Sequence, residues 1–144
     1  MNPLCGIRYQ DLHFGQPCFQ PLYQVVFHFT VHKFGSLDIM VNNAGLSSSP
    51  TPDIRHVDLS EFEKIFEVNV KGVFIGIKHA ARVMIPHGKG SIVSVASVTS
   101  NMVGVGPHAY TRSKHAVVGI TKNVAAELGA HGIHVNCVSL CSSY

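Results

Sequence analysis

The stretch "GSIVSVAS" (residues 90–97) starts with glycine, continues with apolar and β-branched residues, and ends in serine. A short apolar run of this kind, bounded by turn-forming residues, predicts a buried strand. Similar runs lie on either side of it in the sequence, "LDIMVNNAG" (37–45) and "IHVNCVSL" (133–140). Near-continuous apolar strands are typical of parallel sheets whose two faces are covered by helices.

Two long segments between these strands carry apolar residues at spacings of three and four, which predicts helices. The first helix is predicted over 58–85, with Asp58 or Ser60 as its N-cap, and the second over 109–132. Strand, helix, strand, helix, strand in this order predicts parallel pairing through right-handed crossovers. The fold class is therefore α/β, with the three strands forming part of an open sheet.

Residues 1–29 do not share this order, because their prolines, glycines, cysteines and aromatics follow no period of two or 3.6. Within and just beyond them, only "VVFHFTV" (25–31) alternates apolar with polar side chains, and we predict a strand there. Such a strand could cover the free edge of the strand in 37–45.

Composition argues against several classes of function. Charged residues make up 13% of the 144 residues, and the net charge of +3 is scattered, which does not favour binding to nucleic acid or to a membrane surface. We predict no metal site, because the four cysteines lack a C-x-x-C pair and no two of the ten histidines are predicted on one helical face. Neither a signal peptide nor an apolar stretch of ~20 residues is predicted, so we expect a soluble, cytoplasmic protein.

The segment "AYTRSKHA" (109–116) carries the clearest chemical pattern. Residues four apart share a helical face, so Tyr110 and Lys114 point the same way, at the carboxyl ends of the strands where open α/β sheets bind ligands. A nearby ammonium stabilises a phenolate, which lowers the pKa of a tyrosine towards the range useful for acid–base catalysis. Ser97, at the end of its strand, could hold a substrate oxygen beside the phenol.

Each residue also has an ordinary interpretation. Y-x-x-x-K alone usually marks a solvated helix face, Asn69 could be a polar helix residue, and Ser97 a strand-end hydroxyl.

The ordered set of motifs favours the catalytic interpretation. The segments "LDIMVNNAG", "NVKGVF", "GSIVSVAS", "YTRSK" and "GIHVNCVS" together resemble the short-chain dehydrogenase/reductase family, and "KHAARVMIP" (78–86) resembles its plant members in particular. The resemblance implies a partial Rossmann-type doubly wound parallel sheet, in which the first βαβ half is missing.

The resemblance also implies an oxidoreductase that moves a hydride between a nicotinamide cofactor and an alcohol or ketone. Tyr110 would be the acid–base, Lys114 would lower its pKa and bind the nicotinamide ribose, Ser97 would orient the substrate, and Asn69 would hold a water of a proton relay. Asn42, Ala44 and Gly45 would lie along the cofactor, together with Tyr110 and Lys114, and Asn42 would also tie neighbouring strands. The helices 58–85 and 110–130 would form the interface of a homo-oligomer.

Parts of the family pattern are not found in this sequence. The glycine-rich turn T-G-x-x-x-G-x-G, which seats the cofactor pyrophosphate on a helix N-terminus, does not occur. NAD is favoured over NADP by the resemblance alone. We therefore divide the chain into an atypical segment, 1–29, and a partial catalytic domain, 30–144. The alternative is an inactive fragment that associates with full-length relatives, while a nucleic-acid-binding module is a distant third.

Overall fold

The computed structural model describes residues 19–49, 53–102 and 104–141, with side chains described from residue 23 onward. Most of the atypical segment predicted over 1–29 therefore lies outside the described residues. The helices and strands are α1 (Phe19–Phe34), β1 (Ile39–Asn42), α2 (Leu59–Phe66), α3 (Gly72–Met84), β2 (Gly90–Ser97), α4 (His108–Leu128) and β3 (Ile133–Leu140).

The three strands form one parallel sheet in the order β1-β2-β3. Ile39 lies opposite Ser91 in the first pair, and Ser97 lies opposite Leu140 in the second. Helical crossovers connect β1 to β2 and β2 to β3, which places the carboxyl ends of all three strands at one edge of the sheet. This architecture confirms the predicted α/β fold with a parallel sheet.

The helix predicted over 58–85 is interrupted. Of the two predicted N-caps, Asp58 is the one observed, since its carboxylate accepts a hydrogen bond from the Ser60 N–H at 2.9 Å. Between α2 and α3, however, residues Glu67–Lys71 form one π-helical turn. A π-turn adds a residue to the helix and often accompanies a functional site, and this one contains Asn69.

The strand predicted for residues 25–31 is wrong, because these residues belong to α1 and pack against α3. Tyr23 and Phe27, one helical turn apart, stack on each other with centroids 6.4 Å apart, whereas Phe29 points away and is exposed. The alternation of Phe27, Phe29 and Val31 imitates a strand, but burial follows the helical spacing. Packing of this stripe outweighs the weak helix propensity of the aromatic and β-branched residues.

Because residues 25–31 are helical, the prediction that no two histidines share a helical face is also wrong. His28 and His32 stand four residues apart on α1 and line one groove, so a histidine pair does share a helical face. Within the described residues, no group of three or more potential metal ligands comes together.

The core lies between the sheet and the helices. Its buried side chains come from every described helix except α2 and from the strands β2 and β3: Phe27, Val73, Ile77, Ala80, Met84, Ile92, Ala96, Val117, Leu128, Ile133 and Val135. No helix among the described residues is both long and apolar enough to cross a membrane.

Gly76 allows α3 to lie directly on β1. A methyl group at this position would overlap the Asn42 side-chain oxygen and lie 3.1 Å from the Met40 methyl carbon. We expect Gly76→Ala to lower the free energy of unfolding by about 1–3 kcal/mol, measured by denaturant titration, because the helix must move off the strand. Gly119→Ala on α4 is the control, since nothing lies within 4 Å of its added methyl group, and it should be neutral or stabilising.

His79 on α3 packs its ring against Tyr23 and Phe27 of α1 and is 4% exposed. Burial lowers the pKa of His79, and the positive charges of Arg82 and Lys78 lower it further. The unfolded chain therefore binds a proton here at a higher pH than the folded chain does. Stability should be unaffected by this group above about pH 6.5 and should fall below it, by at most about 1.4 kcal/mol per pH unit.

His79→Phe should remove this part of the pH dependence in unfolding curves recorded between pH 5 and 8. The matched change at an exposed site, His131→Phe, should leave the dependence in place. An unchanged acid slope in the His79 variant would contradict the assignment.

Candidate active site

The carboxyl edge of the sheet brings together the ends of β1 and β2 and the first turns of α4. β1 ends at Asn42, β2 ends at Ser97, and the first turns of α4 contain Tyr110 and Lys114. All of these lie at the edge where open parallel sheets bind ligands.

Lys114 is buried at this edge, although lysine is rarely buried without a partner. Its Nζ donates to the carbonyl oxygen of Val95 at 2.7 Å and lies 5.5 Å from the centroid of the Tyr110 ring. None of the ion pairs among the described residues involves Lys114. Burial lowers its pKa, since removing the ammonium from water disfavours the charged form.

Tyr110 is half-buried, one turn before Lys114 on α4. No described residue makes a hydrogen bond to its phenol oxygen. The phenol can therefore still exchange a proton with a bound molecule.

Ser97 is buried and caps the short helical turn that follows β2. Its Oγ accepts a hydrogen bond from the Thr99 N–H at 3.3 Å. An acceptor role toward the backbone leaves the hydroxyl hydrogen of Ser97 available to another oxygen.

Asn69 is held by three hydrogen bonds and is 1% exposed. Its Oδ1 accepts from the Leu46 N–H at 2.7 Å, and its Nδ2 donates to the Leu46 carbonyl at 2.8 Å and to Ser113 Oγ at 3.0 Å. Both N–H groups of the amide are thereby used.

The end of β1 and the loop after it contribute the other predicted residues. Asn42 is buried and its Nδ2 donates to Ser94 Oγ at 3.3 Å, which confirms that it ties β1 to β2. Ala44 and Gly45 are exposed. A methyl group on Gly45 would lie 3.4 Å from Asn69 Oδ1 and 3.5 Å from Lys114 Nζ, so the backbone of Gly45 passes beside both groups.

The structure thus brings Gly45, Asn69 and Lys114 into one cluster, with Tyr110 next to it. Sequence reasoning missed three members of this network: Leu46, Val95 and Ser113. Leu46 and Val95 act through their backbones, which leave no sequence signal. Ser113 stands inside "YTRSK", and its only signal was a small polar residue one helical turn after Tyr110.

Comparison with known proteins gives the family. A sequence profile described as short chain dehydrogenase matches residues 22–142. (+)-Borneol dehydrogenase 2 of Salvia officinalis is 71% identical over 111 residues, which are 77% of this chain and 39% of that protein. Xanthoxin dehydrogenase of Arabidopsis thaliana is 66% identical over 111 residues, with the same shares of 77% and 39%. The chain thus spans about two fifths of the length of the curated relatives it matches, and these are plant proteins, as the resemblance implied.

Solved structures agree with this result. ElxO with NADP bound superposes with a TM-score of 0.80 at 32% identity, covering 84% of this chain and 48% of that chain. NAD+-bound xylitol dehydrogenase superposes with a TM-score of 0.79 at 29% identity, covering 83% and 46%. Both structures hold nicotinamide dinucleotides.

Proposed function

The chain belongs to the short-chain dehydrogenase family, and from that premise we propose that it carries the catalytic part of a nicotinamide-dependent oxidoreductase acting on alcohols and ketones. The observation that carries the proposal is the cluster of Gly45, Asn69 and Lys114 beside Tyr110. A buried lysine without a carboxylate partner is costly and is favoured only where its charge is used.

The space beside Gly45 fits the proposed cofactor. Because residue 45 has no side chain, a ligand can approach the backbone and reach Lys114 Nζ and Asn69. Lys114 would then hold the nicotinamide ribose, and Ala44 and Asn42 would lie along the same path. When bound, the nicotinamide takes or gives the hydride.

The protein residues handle the proton. In the oxidation of an alcohol, the Tyr110 oxygen accepts the hydroxyl proton while the hydride leaves the carbon that bears this hydroxyl. In the reduction of a ketone, Tyr110 gives the proton to the carbonyl oxygen. Ser97 donates its free hydrogen to the substrate oxygen and holds it near the phenol. The Lys114 ammonium favours negative charge on the phenol oxygen during the transfer.

In the proposed proton relay, Asn69 can hold a water only as a hydrogen-bond acceptor. Since both of its amide N–H groups are bonded within the protein, a relay water can only donate to an acceptor atom of Asn69, such as its backbone carbonyl.

The cofactor is NAD or NADP, since the two structural neighbours above carry one each. NAD remains the favoured choice from the family resemblance. As the substrate class we propose alcohols of the kind that the name borneol dehydrogenase indicates for the 71% identical relative. A cytoplasmic location belongs to the same proposal.

Tyr110→Phe should abolish alcohol oxidation, with a loss of at least about 100-fold in kcat, while cofactor affinity is retained. The reason is that the ring stays in place and only the proton-exchanging oxygen is removed. NADH and NADPH are titrated by fluorescence, and oxidation of borneol is followed by NADH or NADPH absorbance.

Tyr23→Phe is the control, since it removes a phenol oxygen from the α1–α3 contact, and it should leave both measurements unchanged. A Tyr110→Phe variant that still oxidises the alcohol would overturn the catalytic role. Wild-type protein that binds neither dinucleotide would favour the non-catalytic alternative.

We also propose that α2, α3 and α4 form an association surface for a second copy of this chain or a full-length relative. Phe62 and Phe66 stack at 4.5 Å and line an open apolar groove with Val70, Phe74 and Ile120. Phe74 is 53% exposed, and exposed apolar patches of this kind mark interaction sites.

Phe74→Glu should convert oligomers to monomers in light scattering after size-exclusion chromatography, because it places a charge in the apolar groove. Phe34→Glu, at an exposed phenylalanine on α1, is the matched control and should keep the wild-type mass. Equal masses for wild type and both variants would argue against this surface.

A further inference from the structure

Ser113 stands between Tyr110 and Lys114 on α4 and is 0% exposed. Its hydroxyl donates to the Tyr110 carbonyl oxygen at 2.7 Å and accepts from Asn69 Nδ2 at 3.0 Å. The single hydrogen of the hydroxyl is therefore committed to the backbone of the proposed acid–base residue.

The two bonds of Ser113 belong to a longer chain of hydrogen bonds. The Asn69 side chain bonds to both backbone polar groups of Leu46: its Oδ1 accepts from the N–H at 2.7 Å, and its Nδ2 donates to the carbonyl oxygen at 2.8 Å. The chain therefore runs from the loop after β1, through the π-turn, to the first turn of α4. Ser113 supplies its link on α4, and without that hydroxyl one Asn69 N–H is left buried and unpaired.

Among the described residues, the start of α4 has two side-chain hydrogen bonds to other elements, that of Ser113 with Asn69 and that of Lys114 with Val95 of β2. The N-cap of α4 is Pro107, which makes no side-chain cap hydrogen bond. The Pro107 carbonyl accepts a backbone hydrogen bond from the Thr111 N–H at 2.9 Å. Lateral anchoring of this turn to Asn69 therefore depends on Ser113.

We propose that Ser113 is a positioning residue, whose two hydrogen bonds link the first turns of α4 to Asn69 and, through Asn69, to the loop that contains Leu46. This link fixes Tyr110 relative to Lys114 and Gly45. The effect on turnover rests on the proposed function. The positional effect does not, because every group involved belongs to the protein.

Ser113→Ala in the full chain tests the link through two measurements that need neither cofactor nor substrate. The Leu46 amide should exchange its hydrogen at least tenfold faster, since Asn69 loses one of its three anchors. The ring resonance of Tyr110, in protein labelled with carbon-13 in tyrosine and assigned with Tyr110→Phe, should also shift.

Thr121→Val is the matched control on the same helix. Thr121 is 4% exposed and its hydroxyl donates to the Val117 carbonyl at 2.8 Å, within α4 itself. This variant also loses a buried hydroxyl, but it should change neither the Leu46 exchange rate nor the Tyr110 resonance. Ser113→Cys, which keeps the shape of serine with a weaker donor, should give a smaller increase in exchange and serves as the test if the alanine variant does not fold.

Unchanged Leu46 exchange in Ser113→Ala, or an equal increase in Thr121→Val, would overturn the proposal. If the wild-type protein oxidises borneol, Ser113→Ala should also lower kcat for that reaction about tenfold or more with little change in cofactor KM. The reason is that misplacement of an acid–base group acts on the chemical step. A protein that proves inactive would refute the proposed function and still leave the Leu46 and Tyr110 measurements decisive for Ser113.

Discussion

The candidate site depends on the hydrogen bonds made by the side chain of Asn69. One amide joins three parts of the chain by fixing Leu46 in the loop after β1, its own π-turn, and Ser113 on α4. A buried amide with unpaired groups would be destabilising, so all three parts must come together for any of them to be stable in this arrangement. The π-turn serves this requirement, because the extra residue in the helix alters which side chains face the sheet edge at that point.

Lys114 adds an electrostatic constraint to that polar framework. Among the described residues, its ammonium donates to the Val95 carbonyl, and burial lowers the pKa of Lys114. Burying this charge costs free energy, which is consistent with the proposed role of a cation held close to Tyr110. The buried charge and the hydrogen-bond network thus act on the same helical turn, one by charge and the other by position.

The sequence predicts the parts of the fold that follow hydrophobic period and capping. The strands around residues 90–97 and 133–140, the cap at Asp58 and the helix bearing Tyr110 all have local signals, and the structure confirms them. The π-turn has no such signal, because the helical period continues through it. Within the turn, Asn69 bonds to Leu46 and Ser113, which are distant in sequence. Residues 25–31 misled sequence reasoning for a related reason: their alternation is a strand pattern, yet Phe27 is buried by α3, which is distant in sequence. Motif order predicted Asn69, Tyr110 and Lys114 as candidates, whereas Leu46 and Val95, which act through backbone atoms, left no signal in the sequence. Ser113 acts through its side chain and was still missed, because a single serine beside Lys114 is a weak signal.

The location of this network also bears on how much of a longer protein the site requires. β1 hydrogen-bonds only to β2 among the described residues, and Ile39 and Val41 are exposed along it, at 65% and 54%. An apolar edge strand of this kind is a surface that proteins normally cover. Among the described residues, the hydrogen bonds to Asn69, Ser113 and Lys114 arise from the loop after β1, the π-turn, β2 and α4, and not from that edge. Whatever pairs with β1, the hydrogen bonds that hold the turns around Tyr110 and Lys114 among the described residues come from those elements.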